Sequence, residues 1–345
     1  MILRRLPLVV LLAALAVGVA ACGRSPAEHR SDAPPVRGPA RGTSPTAGVG
    51  ARPPKPTSAS AVAGMAFGEA QRTERLAEPP ASGASFSFLV YGDTRSNPRM
   101  HRRAIALMAS MGGVSFACHT GDLVDDGSSD EEWATFLSVT EPLRLRMPLY
   151  PVIGNHDPPR RKALAAFAKI NGPPRDLTPE AMYYGVECGP VRIAMLDSET
   201  LVKGDEPQVR WLEGLFRDTR APYRVVVLHR PLWSPGPSGS CVPIRNRILP
   251  LLRSAGVNVL FAGHDHLYYR TVRDQLTEIV TGGGAAPLYG VTDRSVMKRG
   301  DVVASTHHVC RVDVTPTALE IHAMGVDGQR IDEVRVSPAP GSGGR

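Results

Sequence analysis

Residues 86–122 read FSFLVYGDTRSNPRMHRRAIALMASMGGVSFACHTGD, and the fold is decided in this stretch. Phe86–Tyr91 is an apolar run that stops at Gly92-Asp93. Pro98–Met111 puts Ile105, Met108 and Met111 on one stripe at helical spacing. Val114–Cys118 is a second apolar strand, ending at His119-Thr120-Gly121-Asp122. A strand, a helix and a second strand in this order predict an α/β fold with parallel pairing.

The same grammar continues outward. Ser129–Thr140 opens with Asp130, Glu131 and Glu132, an acidic first turn that suits a helix N-terminus. Leu149–Ile153 is a strand ending at Gly154-Asn155-His156-Asp157. Gln208–Phe216 reads as helix, and Arg224–Leu228 as a strand ending at His229. Ile244–Ala255 reads as helix, and Val257–Phe261 as a strand ending at Gly263-His264-Asp265-His266. Strands near 268–273, 277–281, 307–314, 318–323 and 331–335 follow closely, a β-rich tail that adds antiparallel pairing.

Five apolar strands thus end in Asp, Asn or His, mostly after glycine. Ligands of open α/β sheets bind beyond the carboxyl ends of strands, and glycine permits a sharp turn and a close backbone approach there. The polar set is Asp93, Asp122, Asn155, His156, His229, His264 and His266. Imidazole with hard oxygen donors and no thiolate suits Mn, Fe, Zn or a related divalent ion. Singly, Asp93 and Asp122 read as helix N-caps, Asn155 and Asp157 as turn residues, and His229 as a loop histidine; together they read as a site.

These blocks, Gly92-Asp93, Gly121-Asp122, Gly154-Asn155-His156-Asp157, His229 and Gly263-His264-Asp265-His266, resemble in order and spacing the five blocks of the calcineurin-like metallophosphoesterases over about residues 85–335. The last block, continuing into His266-Leu267-Tyr268-Tyr269-Arg270, is similar to the purple-acid-phosphatase branch. The resemblance implies a four-layer α/β/β/α sandwich of two mixed sheets with a two-metal centre at one edge. It implies that Asp122 would bridge the metals, that Asn155, His229 and His264 would complete one site, and that Asp93 and His266 would serve the other. A metal-bridging hydroxide would then attack a phosphate ester, monoester in preference to diester, with His156 protonating the leaving alkoxide or stabilising the developing charge, and Asp157 orienting His156.

Two positions depart from the family pattern. Where the family's first block commonly carries Asp-x-His, Thr94 is followed here by Arg95, which stays protonated and is no ordinary metal ligand. Arg95 is instead suited to hold a substrate phosphate oxygen. Where purple acid phosphatases supply a tyrosine, three residues after the second-block aspartate, this chain has Asp125, readable equally as a ligand or as a solvated carboxylate. His101 is a weaker substitute ligand. His307, His308 and His322 read as surface or core histidines, Tyr183-Tyr184 as strand packing, and Trp233 as a core cover or a substrate contact.

The front of the chain has a different texture. MILRRLPLVVLLAALAVGVAAC, residues 1–22, has a basic start, an apolar run from Leu6 to Ala21 and then Cys22, the tripartite pattern of a secretory signal. Val19–Cys22 resembles the bacterial lipobox, which implies lipid on Cys22. Residues 23–82 hold ten of the 32 prolines and few large apolar side chains, a composition that predicts a flexible tether. The expected organisation is a lipoprotein signal over 1–22, a tether over 23–82, the metallophosphoesterase domain over 83–338 and a disordered tail over 339–345.

Net charge is +7, but two of the excess charges lie in 1–22 and three in 23–82, leaving +2 for residues 83–345. That balance argues against a polyanion partner, so no nucleic-acid binding is expected. The expected partners are a phosphate-ester substrate and a membrane met through the lipid only, with the protein a monomer. Export is expected, and Gly23-Arg24 after the cysteine favours the periplasm and outer membrane. Export also permits disulfides; Cys118 reads as a buried thiol, and Cys188–Cys241 is the preferred pair if a bridge exists. Two rival readings stand: a non-catalytic or mononuclear binding protein that keeps the fold, and a nucleotide or cyclic-nucleotide hydrolase.

Overall fold

A computed structural model of the chain describes residues 73–75, 85–217 and 219–339. The expected signal segment, Cys22 and most of the expected tether lie outside the described residues, as do residues 340–345.

The strands are β1 (Thr73–Arg75), β2 (Phe86–Tyr91), β3 (Val114–His119), β4 (Leu149–Pro151), β5 (Tyr184–Cys188), β6 (Val191–Met195), β7 (Tyr223–Val227), β8 (Val259–Ala262), β9 (Tyr268–Arg273), β10 (Leu276–Thr281), β11 (Val302–Ala304), β12 (His308–Val314), β13 (Leu319–Gly325) and β14 (Arg330–Val336). The helices are α1 (Pro98–Ser110), α2 (Asp130–Arg144), α3 (Arg160–Phe167), α4 (Ser198–Leu201), α5 (Glu206–Arg217) and α6 (Val242–Ser254). The strands form two mixed sheets, ordered β1-β5-β6-β7-β8-β10-β9-β11 and β14-β13-β12-β2-β3-β4. Pairing is parallel through β2-β3-β4 and through β6-β7-β8-β10, and antiparallel from β12 to β14.

The continuous apolar runs follow from burial on both faces of a strand. Along β7, Val225 and Val227 join the core shared by the two sheets, while Val226 and Leu228 face Trp211, Leu212 and Ile248 of α5 and α6. On the other sheet, Ile105 and Met108 of α1 and Phe136 of α2 are buried, with His101 of α1 against Tyr91 of β2 and Phe136 against His119 of β3. Phe116 on the opposite face meets Tyr150, which meets Tyr184 of the first sheet. The four layers are therefore helix, sheet, sheet, helix. Tyr268 Oη donates to Asp332 Oδ2 at 2.8 Å and Arg270 Nε to the same oxygen at 2.5 Å, which ties β9 of one sheet to β14 of the other.

Helix ends follow local chemistry. Asn97 Oδ1 accepts from Met100 N at 3.1 Å at the start of α1, and Ser129 Oγ from Glu132 N at 3.2 Å at the start of α2. The expected helix over Ser129–Thr140 runs on to Arg144 and carries Pro142 near its end. Tyr184, expected as strand, opens β5, whereas the rest of the β5–β6 hairpin and α3 were not expected from the sequence. Thr73–Arg75, inside the expected tether, pairs in parallel with β5 as an edge strand. Ala339, the first residue of the expected tail, is buried and donates its N–H to Pro222 O at 3.0 Å.

The preferred disulfide is absent: Cys118, Cys188, Cys241 and Cys310 are all free thiols. Cys188 is in register with Val191, and Val191 with Tyr223, at the start of β7. Cys241 N–H donates to Pro231 O, beyond the far end of that strand. The length of β7, roughly 13 Å at about 3.3 Å per residue, exceeds the roughly 7 Å that a bridge can span between Cα atoms. Among the described residues, no helix is long and apolar enough to cross a membrane.

Candidate metal centre

The carboxyl ends of β2, β3 and β4 in one sheet meet those of β7 and β8 in the other, and all six proposed donor residues stand there. Asp93, Asp122 and His264 hold left-handed backbone, with φ of 56°, 53° and 71°. The turn is thus made by the donor residue itself. Gly121 shares the turn before Asp122, with φ of 93°, whereas Gly263 before His264 and Gly154 before Asn155 serve close packing: a Cβ on Gly263 would lie 2.2 Å from Asp93 Oδ2, and one on Gly154 would lie 2.3 Å from Asp122 N.

Four donor atoms converge around His229. Its Nε2 lies 3.0 Å from Asn155 Oδ1, 3.3 Å from Asp122 Oδ1 and 3.2 Å from His264 Nδ1. His229 Nδ1–H donates to Thr120 O at 2.9 Å, which fixes the tautomer that leaves Nε2 as a lone pair. Beside this group, Asp93, Asp122 and His266 each place a donor atom within 4.8 Å of the others. His266 Nδ1–H donates to Pro287 O at 2.7 Å, so Nε2 is its free donor, 3.6 Å from Asp93 Oδ1. Tyr289 stacks on that imidazole at 4.0 Å. Asp122 belongs to both groups.

The electrostatics ask for cations. Burial pushes the Asp93 carboxyl well above its ordinary range, and the adjacent Asp122 carboxylate pushes it further. Burial holds His264 down to about 2 and His266 down to about 4, so both imidazoles keep lone pairs at neutral pH. Buried like-charged carboxylates beside neutral imidazoles make a donor set that fits two divalent ions.

His156 is one-third exposed. Its N–H donates to Asp122 Oδ1 at 3.0 Å, and its Nδ1–H donates to Asp125 O at 2.8 Å, leaving Nε2 free. Asp157 does not orient it. Both Asp157 oxygens accept backbone N–H groups, from Leu123 at 2.8 Å, Gly154 at 2.7 Å, Asp122 at 3.1 Å and Val124 at 3.3 Å. Adjacency in sequence left the direction of that side chain open; tertiary packing turned it inward, where it fixes the two loops that carry Asp122 and Asn155.

Arg95 is placed at the metal cluster, with Nε 3.4 Å from Asp122 Oδ2 and Nη1 paired with Asp125 Oδ1. Asp125, which also accepts from Ser96 Oγ at 2.9 Å, is thereby engaged away from the donor cluster. His101 is no substitute ligand: it is walled in between the rings of Tyr91 and Phe136, and burial holds it down to about 3. A cavity of about 370 Å³ opens beside Arg95, floored by Leu123, Val124, Phe136 and Val139. Tyr183 packs on Trp211, and Trp233 lies under the Arg245 and Arg273 guanidiniums. His308 is buried, its ring nitrogens held by Thr306 O and Thr281 Oγ1. Three features of the site gave no separate signal in the sequence: Thr120 O, Pro287 O and Tyr289. A fourth, Arg230, stands directly after His229 and could have been flagged for that reason alone.

Two parallel strand sets converging on buried carboxylates and imidazoles define a metal-dependent phosphate-ester hydrolase, a class that works through a dinuclear metal centre. The sequence profile of the calcineurin-like phosphoesterases matches residues 86–268, and the chain belongs to that family. It is similar to purple acid phosphatase 17 of Arabidopsis thaliana, 24% identical over 247 residues, which cover 62% of this chain and 72% of that protein. The solved structure of purple acid phosphatase PPD1 from yellow lupin (Lupinus luteus) seeds shares the fold, with a TM-score of 0.66 and 18% identity. That match covers 76% of this chain and 56% of the lupin chain. GAP50, described as the anchor in the inner membrane complex of Plasmodium, shares the fold too, with a TM-score of 0.62 and 17% identity over 74% of this chain and 89% of that one.

Proposed function

We propose that this chain hydrolyses phosphate monoesters at a two-metal centre, and that lipid on Cys22 holds it at the outside of a bacterial membrane. The observation that carries the catalytic part is the pair of donor groups sharing Asp122: His229, Asn155 and His264 on one side, Asp93 and His266 on the other. Divalent ions held there supply Lewis acidity toward phosphoryl oxygen and a lowered pKa for an attacking water. The protein supplies the rest. Thr120 O and Pro287 O hold His229 and His266 in their donor tautomers. Asp157 locks the loops bearing Asp122 and Asn155. His156, anchored through Nδ1–H, keeps Nε2 for proton transfer to the leaving alkoxide. Arg95 holds a phosphoryl oxygen, and the neighbouring cavity gives an organic leaving group room.

Metal per chain and kcat, measured on wild type, Asp122→Asn and His156→Ala, test this reading. Asp122→Asn keeps the shape and removes the shared charge; it abolishes hydrolysis and lowers metal content while circular dichroism stays that of a folded domain. His156→Ala keeps its metal and loses about 10²–10⁴ in kcat, the range for a general acid. That loss is smaller for nitrophenolate, a leaving group that needs little protonation. Hydrolysis that resists a chelator overturns the mechanism.

A second reading has one observation in its favour. The Arg95 guanidinium occupies the flank of Asp122 where the resemblance calls for a further ligand. A mononuclear binding protein with this fold follows if metal content never exceeds one ion per chain and hydrolysis stays absent with added Mn.

A further inference from the structure

Arg230 has no part in the pattern of strand-end donors, yet it is among the most firmly held side chains beside them. Its Nε donates to Glu199 Oε1 at 2.7 Å and its Nη2 to Glu199 Oε2 at 3.0 Å, the two-pronged fit of guanidinium to carboxylate. Its backbone N–H donates to Ser198 Oγ at 3.2 Å. Both partners sit in α4, whose N-cap Asp197 is buried, paired with Arg160, and linked through its backbone N–H and C=O to the Gln208 amide. The support under Arg230 is therefore rigid and runs deep into the molecule.

The third edge of the guanidinium is turned toward the site. Nη1 lies 3.0 Å from His264 Nε2, on the ring whose Nδ1 belongs to the donor group around His229. A guanidinium offers five N–H bonds. Two are engaged with Glu199. A third abuts His264 Nε2, which carries that ring's proton when Nδ1 is the ligand atom and so does not accept from Arg230. Two have no partner among the described residues. The side chain is 26% exposed, so those two are open to a ligand. Arg95 supplies a second guanidinium from the opposite sheet, close to Asp122. Each arginine has its own acidic anchor, Asp125 or Glu199, although Arg95 also reaches Asp122. Two cationic groups fixed beside a site for divalent cations repel those cations unless an anion comes between them. A phosphoryl group with two charges over three oxygens meets that demand better than one with a single charge.

We infer that Arg230 is a specificity-determining residue that binds a non-bridging oxygen of a dianionic phosphoryl group, so that it favours phosphate monoesters and inorganic phosphate over diesters. The inference rests on the phosphoesterase reading and names a residue that sets its substrate class. A monoester is a dianion above its second pKa of about 6; a diester remains a monoanion with one fewer free oxygen.

The test compares metal-loaded wild type, Arg230→Gln and Arg230→Lys at about pH 8, above that second pKa. Three quantities are read: kcat/KM for nitrophenyl phosphate and for bis(nitrophenyl) phosphate, the calorimetric affinity for inorganic phosphate, and metal per chain. The expected result for Arg230→Gln is a loss of about 10–100-fold in kcat/KM for the monoester, the range for a charge-assisted hydrogen bond. Phosphate affinity falls in parallel, the diester changes by less than about threefold on the same scale, and metal content holds. Arg230→Lys, which keeps the charge and loses the fork, recovers part of the loss. An equal loss on both esters with unchanged phosphate affinity overturns the inference. So does a loss of metal that matches the loss of activity, because Arg230 then acts only through His264. A metal-loaded wild type inactive on both esters overturns the phosphoesterase reading instead, and phosphate calorimetry on the same proteins still decides the role of Arg230.

Discussion

Asp93, Asp122 and His264 adopt a backbone conformation that costs a residue with a Cβ roughly 1–2 kcal/mol. Each is held there by its neighbours: the Asp93 carboxylate accepts from His264 N at 3.0 and 3.1 Å, and Asp122 N donates to Asp157 at 3.1 Å. The strain is offset by an arrangement that points one oxygen or nitrogen of each residue at a common spot. Arg95 belongs to the same scale. If it grips the substrate in ground and transition states alike, Arg95→Ala raises KM by about tenfold and leaves kcat within a few-fold of wild type. Steady-state kinetics check this, with thermal unfolding alongside; a fall in stability with unchanged KM assigns Arg95 a structural role. Higher activity in Arg95→His shows instead that the arginine fills a vacated ligand position.

Between residue and molecule, loops are fixed by buried acids borrowed from neighbouring elements. The loop after β7 is held by Glu278 of β10, whose Oε1 accepts from Leu232 N at 2.6 Å and Oε2 from Trp233 N at 3.0 Å. It is held again by Asp265, which accepts from Ser234 Oγ and, at 2.9 Å, from Ser238 N. Burial raises Glu278 from 4.5 to about 8. A carboxyl group whose pKa is higher folded than unfolded stabilises the fold in its protonated form. Its contribution is complete below 4.5, declines as pH rises, and is gone above about 8. Glu278 therefore adds a falling component to the stability of wild type across this window, followed by urea unfolding from acid to mild alkali. Glu278→Gln removes that part of the slope. An identical pH profile for the two proteins contradicts the assignment.

Across the whole molecule, two sheets share one core and deliver five strand ends to one edge. The Tyr268–Asp332–Arg270 cluster links the sheets on the side of β9 and β14. Tyr268 and Arg270, which follow the last histidine of the site, thus serve assembly of the two halves. The proposed anchor is a property of the full chain: Cys22 would hold the domain to a bilayer through residues 23–82. Cys22→Ser leaves the precursor unlipidated and shifts its partitioning from the detergent phase to the aqueous phase of a Triton X-114 separation. A wild-type protein that is fully aqueous, with a free N-terminus elsewhere, contradicts the proposal.

Strand identity and strand-end chemistry were legible in the sequence, because both depend on short-range facts. An apolar run buried on both faces needs no partner to be recognised, and Gly-Asp, Gly-Asn-His-Asp and Gly-His-Asp-His stand out at the ends of such runs. The β5–β6 hairpin, Tyr184–Cys188 with Val191–Met195, was less visible, since Gly185 and Arg192 interrupt its apolar pattern. Helix ends moved by a few residues, as at α2, because propensity alone did not stop the helix before Arg144. Side-chain direction was set by tertiary structure alone. Asp157 turned to four backbone N–H groups rather than to the adjacent His156, and Asp125 turned to Arg95. Cys188 and Cys241 lie toward opposite ends of one strand, a separation invisible in their spacing. Arg230 met Glu199, 31 residues earlier, because β6 and β7 are parallel neighbours whose ends face the same edge. Sequence thus named the residues that meet at the strand ends, through local pattern, while long-range packing chose their tautomers, their anchors and the charges beside them.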